Sequence, residues 1–324
     1  MSDLTVSVAM CTFNGARFLP QQLESISAQT RLPDELVICD DCSTDSTRLI
    51  LDRFASSAPF SVRVFLNWKQ LGVAPNFEQA MHECQGSLIL PADQDDVWHA
   101  EKLEQLTEPF RRSPEIGLTF CNMNVVDNSL KPLGYTQWNS VGLGRSMRRL
   151  VAAGKTMDLL LRYSVISGKA MAFRSSLRKY VLPVAPEWMH DEWIALIASA
   201  FSDVALVDRV LVDWRQHSTQ LIGVRPYGIL QQYRYARAQM GLLYFKKMER
   251  RTVHALDRVK QWQKDLTNDN SLRLLQASRD HAAARLSLRA ENVQRLPGVA
   301  REVFQRNYWR FGYGWKSVCQ DLFL

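Results

Sequence analysis

Three carboxylates lie within four consecutive residues of the chain, inside the segment that runs from residue 91 to residue 98. Asp93, Asp95 and Asp96 repel one another unless a cation or solvent relieves the repulsion. Hard oxygen ligands of this kind suit Mg²⁺ or Mn²⁺, and such an ion can bridge protein carboxylates to the phosphates of a nucleotide. The segment therefore predicts a divalent metal site, and an acidic surface turn before the next helix is the alternative.

Polar side chains also follow two earlier apolar runs, namely Thr12, Asn14 and Gly15 after the first run and Asp40 and Asp41 after the second. Asp41 is placed to accept hydrogen bonds from a base or a ribose, and the turn at Asn14 and Gly15 lets a nucleotide approach closely. Asx turns and helix caps explain Asn14 and Asp45 equally well without any ligand. The two groups are therefore candidates for a nucleotide site.

The elements that must position these residues alternate between strand and helix. Strands are predicted at residues 6–10, 36–39, 61–66 and 87–90, and helices at 18–26, 47–54, 76–84 and 101–111. Such alternation predicts an α/β fold with a mostly parallel central sheet flanked by helices. Ligands of such sheets bind beyond the carboxyl ends of the strands, and the polar residues follow those ends.

The pattern is less regular after residue 115. A strand at 116–121, a loop up to Gly144 and a helix at 157–163 are predicted, and from Pro226 onward the pattern is helical. We therefore expect a catalytic domain over residues 1–225 and a basic, aromatic-rich helical region over residues 226–324. That region holds 18 Lys and Arg against 8 Asp and Glu. The excess favours peripheral contact with an anionic membrane leaflet, and a solvated helical face is the alternative.

Six scattered cysteines in 324 residues are too few for a disulfide scaffold and suit a reducing compartment. No apolar run approaches the roughly 18 residues that span a bilayer, and no basic-then-apolar leader follows Met1. We therefore expect a cytoplasmic protein, with peripheral contact to the inner membrane as a further hypothesis.

Five motifs, at residues 8–15, 40–47, 93–96, 190–193 and 215–223, together resemble family 2 of the inverting glycosyltransferases. That family has the nucleotide-sugar-binding fold called GT-A. The resemblance covers about residues 5–225, and the last two motifs are similar to those of a bacterial rhamnosyltransferase branch. Cys42 stands where many relatives have glycine, so we expect that its backbone does not need a left-handed conformation.

The resemblance implies roles for the acidic residues. Asp41 would contact the base of the donor, and Asp93 would lie near the ribose or the metal. Asp95 would ligate Mg²⁺ or Mn²⁺. Asp191 would be the catalytic base, and the resemblance favours it over its neighbours His190 and Glu192.

Four further residues complete the expected site. Thr12 and Asn14 are expected to contact the nucleotide-sugar donor. Arg215 would pair with a donor phosphate or with an acidic neighbour. His217 would ligate the metal or contact the diphosphate, although a lone histidine is more often an ordinary hydrogen-bonded residue.

These features lead us to expect a metal-dependent inverting glycosyltransferase of bacterial surface polysaccharide synthesis. It would move a sugar from a nucleoside-diphosphate donor, dTDP-rhamnose by resemblance, to a saccharide or lipid-linked acceptor. Nucleic acid is not an expected partner. A metal-dependent nuclease and a catalytically inactive carbohydrate-binding protein of the same fold are the alternatives. The segment from Thr12 to Arg17 lacks the G-x-G-x-x-G motif of dinucleotide-binding enzymes.

Overall fold

The computed structural model describes residues 4–217, 242–266, 269–290 and 295–323. The first elements are β1 (Val6–Thr12), α1 (Leu19–Ser27), β2 (Glu35–Asp40), α2 (Thr47–Ala55), β3 (Ser61–Leu66), α3 (Val73–Glu83), β4 (Leu88–Ala92), β5 (Val97–Trp98), α4 (Lys102–Arg112) and β6 (Ile116–Val126). Next follow β7 (Pro132–Thr136), α5 (Gln137–Ser140), α6 (Arg145–Ala152), α7 (Thr156–Leu160), β8 (Met171–Arg174), α8 (Arg178–Val181), α9 (His190–Phe201) and β9 (Asp203–Arg215). The described C-terminal helices are α10 (Leu242–Gln261), α11 (Asn270–Ala290), α12 (Arg295–Phe304), α13 (Asn307–Phe311) and α14 (Trp315–Phe323).

One sheet with the strand order β3-β2-β1-β4-β8-β6-β9-β5 forms the centre of the described residues, and β7 pairs with β6. Strands β3, β2, β1 and β4 are parallel, and so are β6 and β9. Strands β8, β5 and β7 run antiparallel to their neighbours. The expected α/β fold is confirmed, and its parallel order is concentrated in the N-terminal half.

Helices cover both faces of this sheet. Val37 and Ile89 belong to a buried cluster with Trp193 of α9 on one face. Ile38 and Leu88, the neighbours of those two residues, belong to a second cluster on the other face. Because both faces are buried, the parallel strands have nearly continuous apolar sequences.

Helices α10 and α11 contribute Leu256 and Leu275 to the same cluster as Trp193, so this part of the C-terminal region shares a core with α9. Helices α12 to α14 enclose a small cluster of their own. The boundary expected near residue 225 lies outside the described residues, and the division into two domains stays a prediction. None of the described helices is both long enough and apolar enough to span a membrane.

The segment before Gly144 differs from the expected loop. It contains β7, which pairs with β6 as an antiparallel hairpin, and the short helix α5. Strand β6 also extends to Val126 rather than ending at Cys121. The reason is that β7 is short and largely exposed, so it carries no apolar run that marks it as a strand.

Candidate active site

The loops after β1 and β4 are joined by one side chain. Gln94 accepts a hydrogen bond from the Phe13 N–H at 2.8 Å and donates one to the Phe13 carbonyl at 3.0 Å. A Cβ atom added to Gly15 would lie 2.1 Å from the Gln94 Oε1 atom. The glycine is therefore required because this amide packs directly against the backbone of the turn.

The loops after β1 and β2 are also held together. Thr12 donates from its hydroxyl to Asp40 at 2.7 Å, and the Asn14 side-chain oxygen accepts from the Thr44 N–H at 2.8 Å. Asn14 has a φ of 48°, which asparagine tolerates. Asp45 accepts from the Thr47 N–H at the start of α2, as a helix cap does. Donor contacts of Thr12 and Asn14 therefore stay predictions, because the hydrogen bonds shown here organise the loops.

Asp41 is buried, and its carboxylate accepts three hydrogen bonds from the loop after β3. The donors are the Asn67 side chain at 2.9 Å and the N–H groups of Leu71 and Gly72 at 2.7 and 2.8 Å. A carboxylate has about four acceptor positions, so one position remains for a donor base. Contact with the base stays a prediction.

Cys42 corrects one expectation from the sequence. Its φ is 65°, in the left-handed region that was expected to be unnecessary there. The neighbouring bonds of Asp41 to the loop after β3 and of Ser43 to Asp40 hold the backbone of this turn in place. A side chain therefore occupies a conformation that glycine adopts without strain.

The three carboxylates after β4 lie together, with ligand atoms that are all within 4.8 Å of one another. The ammonium group of Lys169 forms ion pairs with Asp93 at 2.7 Å and with Asp96 at 3.3 Å. Lys169 lies in the turn before β8. The protein itself thus supplies a cation to two of the three carboxylates.

Burial and charge shift the pKa values of this cluster in opposite directions. Burial raises the pKa of Asp96 to about 7, and Lys169 only partly opposes that effect. Burial also acts to raise the pKa of Asp93, but the Lys169 ammonium outweighs it and the net shift is downward. Burial lowers the pKa of the nearby Lys102 to about 7. Lys102 donates to the carbonyl of Lys169 at 2.7 Å, so it supports the turn that carries the ion pairs.

Asp95 faces a different partner. The His217 Nε2 atom lies 2.8 Å from an oxygen of Asp95, and both side chains remain slightly exposed. Residues 218–223 of the same motif lie outside the described residues. The two metal ligands expected from the sequence are therefore adjacent, on the side of the cluster that Lys169 does not bind.

Arg215 is almost fully buried at the end of β9. Its guanidinium donates to the carbonyl groups of Asp95 and Asn128 at 2.8 and 2.7 Å and to the side chain of Gln21 at 2.6 Å. It also lies 4.5 Å from the centre of the Phe18 ring. These contacts fix the loop after β4 against β9 and α1. We call this loop, which carries Asp93, Asp95 and Asp96, the acidic loop. A donor phosphate contact of Arg215 stays a prediction.

Asp191 lies in the first turn of α9, where it accepts hydrogen bonds from the Gly168 N–H at 3.2 Å and the Glu192 N–H at 2.9 Å. Glu192 forms an ion pair with Arg251 of α10 at 2.5 Å. His190 is buried and stacks on Phe77 with ring centres 4.0 Å apart. Of the three neighbours, Asp191 is thus the carboxylate that no ion pair of the described residues neutralises.

One short turn connects the two halves of the site. The N–H of Gly168 binds Asp191, and the side chain of the next residue, Lys169, binds Asp93 and Asp96. A Cβ on Gly168 would lie 2.8 Å from the buried His190 ring, so the turn packs tightly against the start of α9. The structure therefore places Asp191 beside the acidic loop, with the turn at Gly168–Ala170 between them.

Comparison with known proteins identifies the family that has this arrangement. The family described as glycosyl transferase family 2 matches residues 7–180, more than half of the chain. The chain belongs to glycosyl transferase family 2. This family 2 chain is 24% identical over 183 residues to an uncharacterized glycosyltransferase of Nostoc sp., a match that covers 56% of this chain and 55% of the relative.

A second relative of this family 2 chain is the UDP-Glc:alpha-D-GlcNAc-diphosphoundecaprenol beta-1,3-glucosyltransferase of Escherichia coli. The two are 29% identical over 129 residues, which is 40% of this chain and 49% of the relative. The chain thus spans about half the length of the curated relatives named here.

Solved structures show the same fold. S. aureus TarS in complex with UDP-GlcNAc superposes with a TM-score of 0.57 and 17% identity, over 95% of this chain and 78% of that chain. The Pyrobaculum calidifontis mannosyltransferase in complex with GDP-Man and Mn²⁺ superposes with a TM-score of 0.52 and 17% identity, over 95% and 81%. The GT-A fold expected for this family 2 chain is confirmed.

Three residues of the site were not singled out from the sequence. Lys169 and Lys102 are single lysines in a loop and a helix, and no spacing marks either one as a partner of a distant carboxylate. Gln94 lies between the aspartates of the acidic motif, which was interpreted by its charge, so the neutral amide was not considered. The signal that could have found Gln94 is Gly15, because a glycine after a strand often marks a close approach.

Proposed function

We propose that this family 2 chain transfers a sugar from a nucleoside-diphosphate donor to an acceptor hydroxyl with inversion at the anomeric carbon. The observation that carries the proposal is the shared turn that joins Asp191 to the acidic loop. A site with a base on one side and a candidate metal pair on the other can activate an acceptor and stabilise a departing diphosphate. Family membership favours transfer over the nuclease alternative.

Asp191 is proposed as the catalytic base. An acceptor hydroxyl is nearly unreactive until its proton can be removed, and a positioned base typically contributes about 10²–10⁴-fold in rate. The two N–H groups that bind Asp191 orient its carboxylate, and lone pairs remain for the proton of the acceptor. Attack from the face opposite the diphosphate inverts the anomeric carbon.

The chemistry of Asp95 and His217 fits a divalent ion. One carboxylate oxygen and one imidazole nitrogen form a donor set that Mn²⁺ accepts, and Mg²⁺ would rely more on the carboxylate and on donor oxygens. When bound, the ion would neutralise negative charge on the departing diphosphate. Lys169 already neutralises Asp93 and Asp96, so we assign the ion to Asp95 and His217.

The donor is proposed to lie over the loops after β1, β2 and β4. Asp41 would contact its base and Asp93 its ribose or the metal, with Thr12 and Asn14 lining the same loops. Arg215 is proposed to act mainly by holding the acidic loop, because its guanidinium contacts are internal. dTDP-rhamnose remains the preferred donor by resemblance of the motifs at residues 190–193 and 215–223.

The acceptor is proposed to be a saccharide or a lipid-linked saccharide of bacterial surface polysaccharide synthesis. The name of the E. coli relative describes a diphosphoundecaprenol-linked acceptor, which supports the lipid-linked class. We place the reaction on the cytoplasmic side of the inner membrane. The six cysteines, all of them free, agree with a reducing compartment.

The test is hydrolysis and transfer with a panel of dTDP-rhamnose, UDP-glucose, UDP-N-acetylglucosamine and GDP-mannose, with and without Mn²⁺ or Mg²⁺. We expect metal-dependent release of one diphosphate, lost in Asp95→Ala. Asp191→Asn should retain donor binding and lose about 10²–10⁴-fold in transfer rate. Glu192→Gln is the matched control, because Glu192 is paired with Arg251. This substitution should change the transfer rate by less than about tenfold. Unchanged transfer in Asp191→Asn would reject that residue as the base. Absence of both hydrolysis and transfer in the parent chain would support the inactive alternative.

A further inference from the structure

The surface of the three last helices carries positive charge only. Residues 295–323 contain two acidic side chains, and both are buried. Glu302 is bound by His281 at 2.6 Å and by Asn307 at 2.9 Å. Asp321 is bound by Arg285 at 2.7 and 2.9 Å and by the Tyr308 hydroxyl at 2.8 Å. The carboxylates of this segment are therefore held by hydrogen bonds inside the protein.

The basic side chains of the same segment face outward. Arg301, Arg306 and Arg310 are exposed, and among the described residues none of the three forms an ion pair with a carboxylate. The three arginines therefore present positive charge to the surroundings of this segment.

Large apolar side chains are exposed between these charges. Leu296, Ala300 and Phe304 follow one another at four-residue spacing on α12, so they lie on one face of that helix. The exposed fraction is 71% for Leu296 and 91% for Phe304. Trp315, at the start of α14, is 66% exposed. We call this surface, formed by the exposed side chains of residues 296–316, the C-terminal face.

The small core between these helices is formed by side chains other than the exposed ones. Val299, Tyr308 and Val318 form the small core between α12, α13 and α14, and all three are buried. Tyr308 thus belongs to this core. Phe304 and Trp315 remain outside it, and the Trp315 ring packs edge-on against Trp309 with ring centres 5.3 Å apart.

The C-terminal face is connected to the segment that follows α7, and α7 packs in the same buried cluster as α9, the helix that carries Asp191. The loop between α13 and α14 accepts a hydrogen bond at the Gly312 carbonyl from Arg162, 3.1 Å away. The Tyr313 ring lies 5.7 Å from the Tyr163 ring.

We propose that the C-terminal face docks on an anionic lipid bilayer and so brings the region of Asp191 to the headgroups, where the saccharide of a lipid-linked acceptor lies. Exposed Trp, Phe and Leu side chains among arginines are the composition of interfacial membrane-binding helices. Two copies of the chain would place like charges opposite each other in a symmetric pair, which disfavours a dimer through this face. Only the position of the acceptor rests on the proposed function, and docking itself does not.

The test is sedimentation of the full chain with vesicles of phosphatidylglycerol and phosphatidylcholine, and with vesicles of phosphatidylcholine alone. We expect binding to the anionic vesicles that weakens as salt is raised. A basic residue near such a surface is worth about 1 kcal/mol, or about fivefold in affinity. Arg301→Gln, Arg306→Gln and Arg310→Gln together should therefore weaken binding about 100-fold.

A second variant tests the apolar contribution. Phe304→Ser combined with Trp315→Ser should weaken binding at least tenfold and remove the part that resists salt. Trp68→Ser is the matched control, because Trp68 is 86% exposed but lies in the loop after β3, and vesicle binding should not change. Circular dichroism of each variant should match the parent chain, since the altered side chains are exposed.

The outcomes separate docking from catalysis. No binding of the parent chain to anionic vesicles, or equal binding by all variants, would overturn the proposal. A dimer of the parent chain that is lost in the Phe304→Ser and Trp315→Ser variant would assign the face to a second copy and overturn it as well. Donor hydrolysis without vesicles should be unchanged in both variants. Vesicle binding without any donor turnover would reject the proposed function and leave docking intact.

Discussion

Replacing Lys169 with methionine removes the internal cation of the acidic loop while it keeps the length and most of the volume of the side chain. The side chain of Lys169 is 12% exposed, and its ammonium lies 2.7 Å from Asp93 and 3.3 Å from the fully buried Asp96. Removing one partner of a buried ion pair leaves an uncompensated charge and typically costs 3–5 kcal/mol. We therefore expect Lys169→Met to lower the free energy of unfolding by about 3–5 kcal/mol at pH 8.

The assay is urea unfolding in the presence of EDTA, so that no divalent ion replaces the ammonium. Lys179→Met is the matched control, because it removes an ion pair with Asp265 in which the lysine is 52% exposed. Pairs of that kind contribute about 0–1 kcal/mol. Adding Asp96→Asn to Lys169→Met should recover part of the loss, since it removes one of the two stranded charges.

A loss in Lys169→Met no larger than the loss in Lys179→Met would refute the reasoning. It would mean that solvent, rather than Lys169, relieves the repulsion within the acidic loop. Mn²⁺ provides an independent readout of the same point. Without the ammonium, the three carboxylates should bind the ion more tightly, so Mn²⁺ should stabilise the Lys169→Met variant more than the parent chain.

Three further changes test other parts of the site. Gly15→Ala should displace the Gln94 amide and weaken donor binding, and it should lower the free energy of unfolding in urea by less than about 2 kcal/mol. Gly144→Ala is the control, because its Cβ would meet only a carbonyl at 3.9 Å, and it should change neither donor binding nor stability. Cys42→Gly should remove the strain of a side chain at a φ of 65° and raise the free energy of unfolding by up to about 1 kcal/mol. A decrease of similar size would show that the backbone of Cys42 is not strained. The bond from His99 to Asp213 raises the pKa of His99 in the folded protein. The contribution of this pair to stability is therefore complete below about pH 6.5, the pKa of an unperturbed histidine, and is lost as pH rises through the higher pKa of the folded protein. His99→Gln should therefore cost less than about 1 kcal/mol at pH 5.5, with a smaller cost at pH 8.5, and an equal cost at both values would exclude the charged pair.

The parallel half of the fold was predictable because β1, β2 and β4 are buried on both faces and therefore have apolar sequences. Residues 61–66 were predicted as a strand with the bounds that the structure shows for β3. Strands β5 and β8 have two and four residues, and they are strands because neighbours pair with them rather than because of their own pattern. Such short elements depend on tertiary contacts, which a local period does not reveal.

The candidate site was predictable where reactive side chains lie close together in the sequence, and not where it depends on contacts between distant residues. Asp93, Asp95 and Asp96 are recognised by their spacing, and their position after β4 follows from the alternation of elements. Lys169 is separated from them by more than 70 residues, and β8 brings it to them through its pairing with β4. A single lysine carries no sign of such a partner, so the internal cation became visible only in three dimensions.

The turn at Gly168–Ala170 acts as a spacer of fixed length between Asp191 and the acidic loop. Because one residue of the turn binds Asp191, the proposed base, and the next binds the acidic loop, a shift of either side is transmitted to the other. Insertions or deletions there would change the distance over which the acceptor oxygen must reach the sugar. In an attempt to redesign which sugars the protein joins, residues 167–170 and 190–192 are therefore best transplanted as one unit, with variation introduced in the loops after β1 and β3.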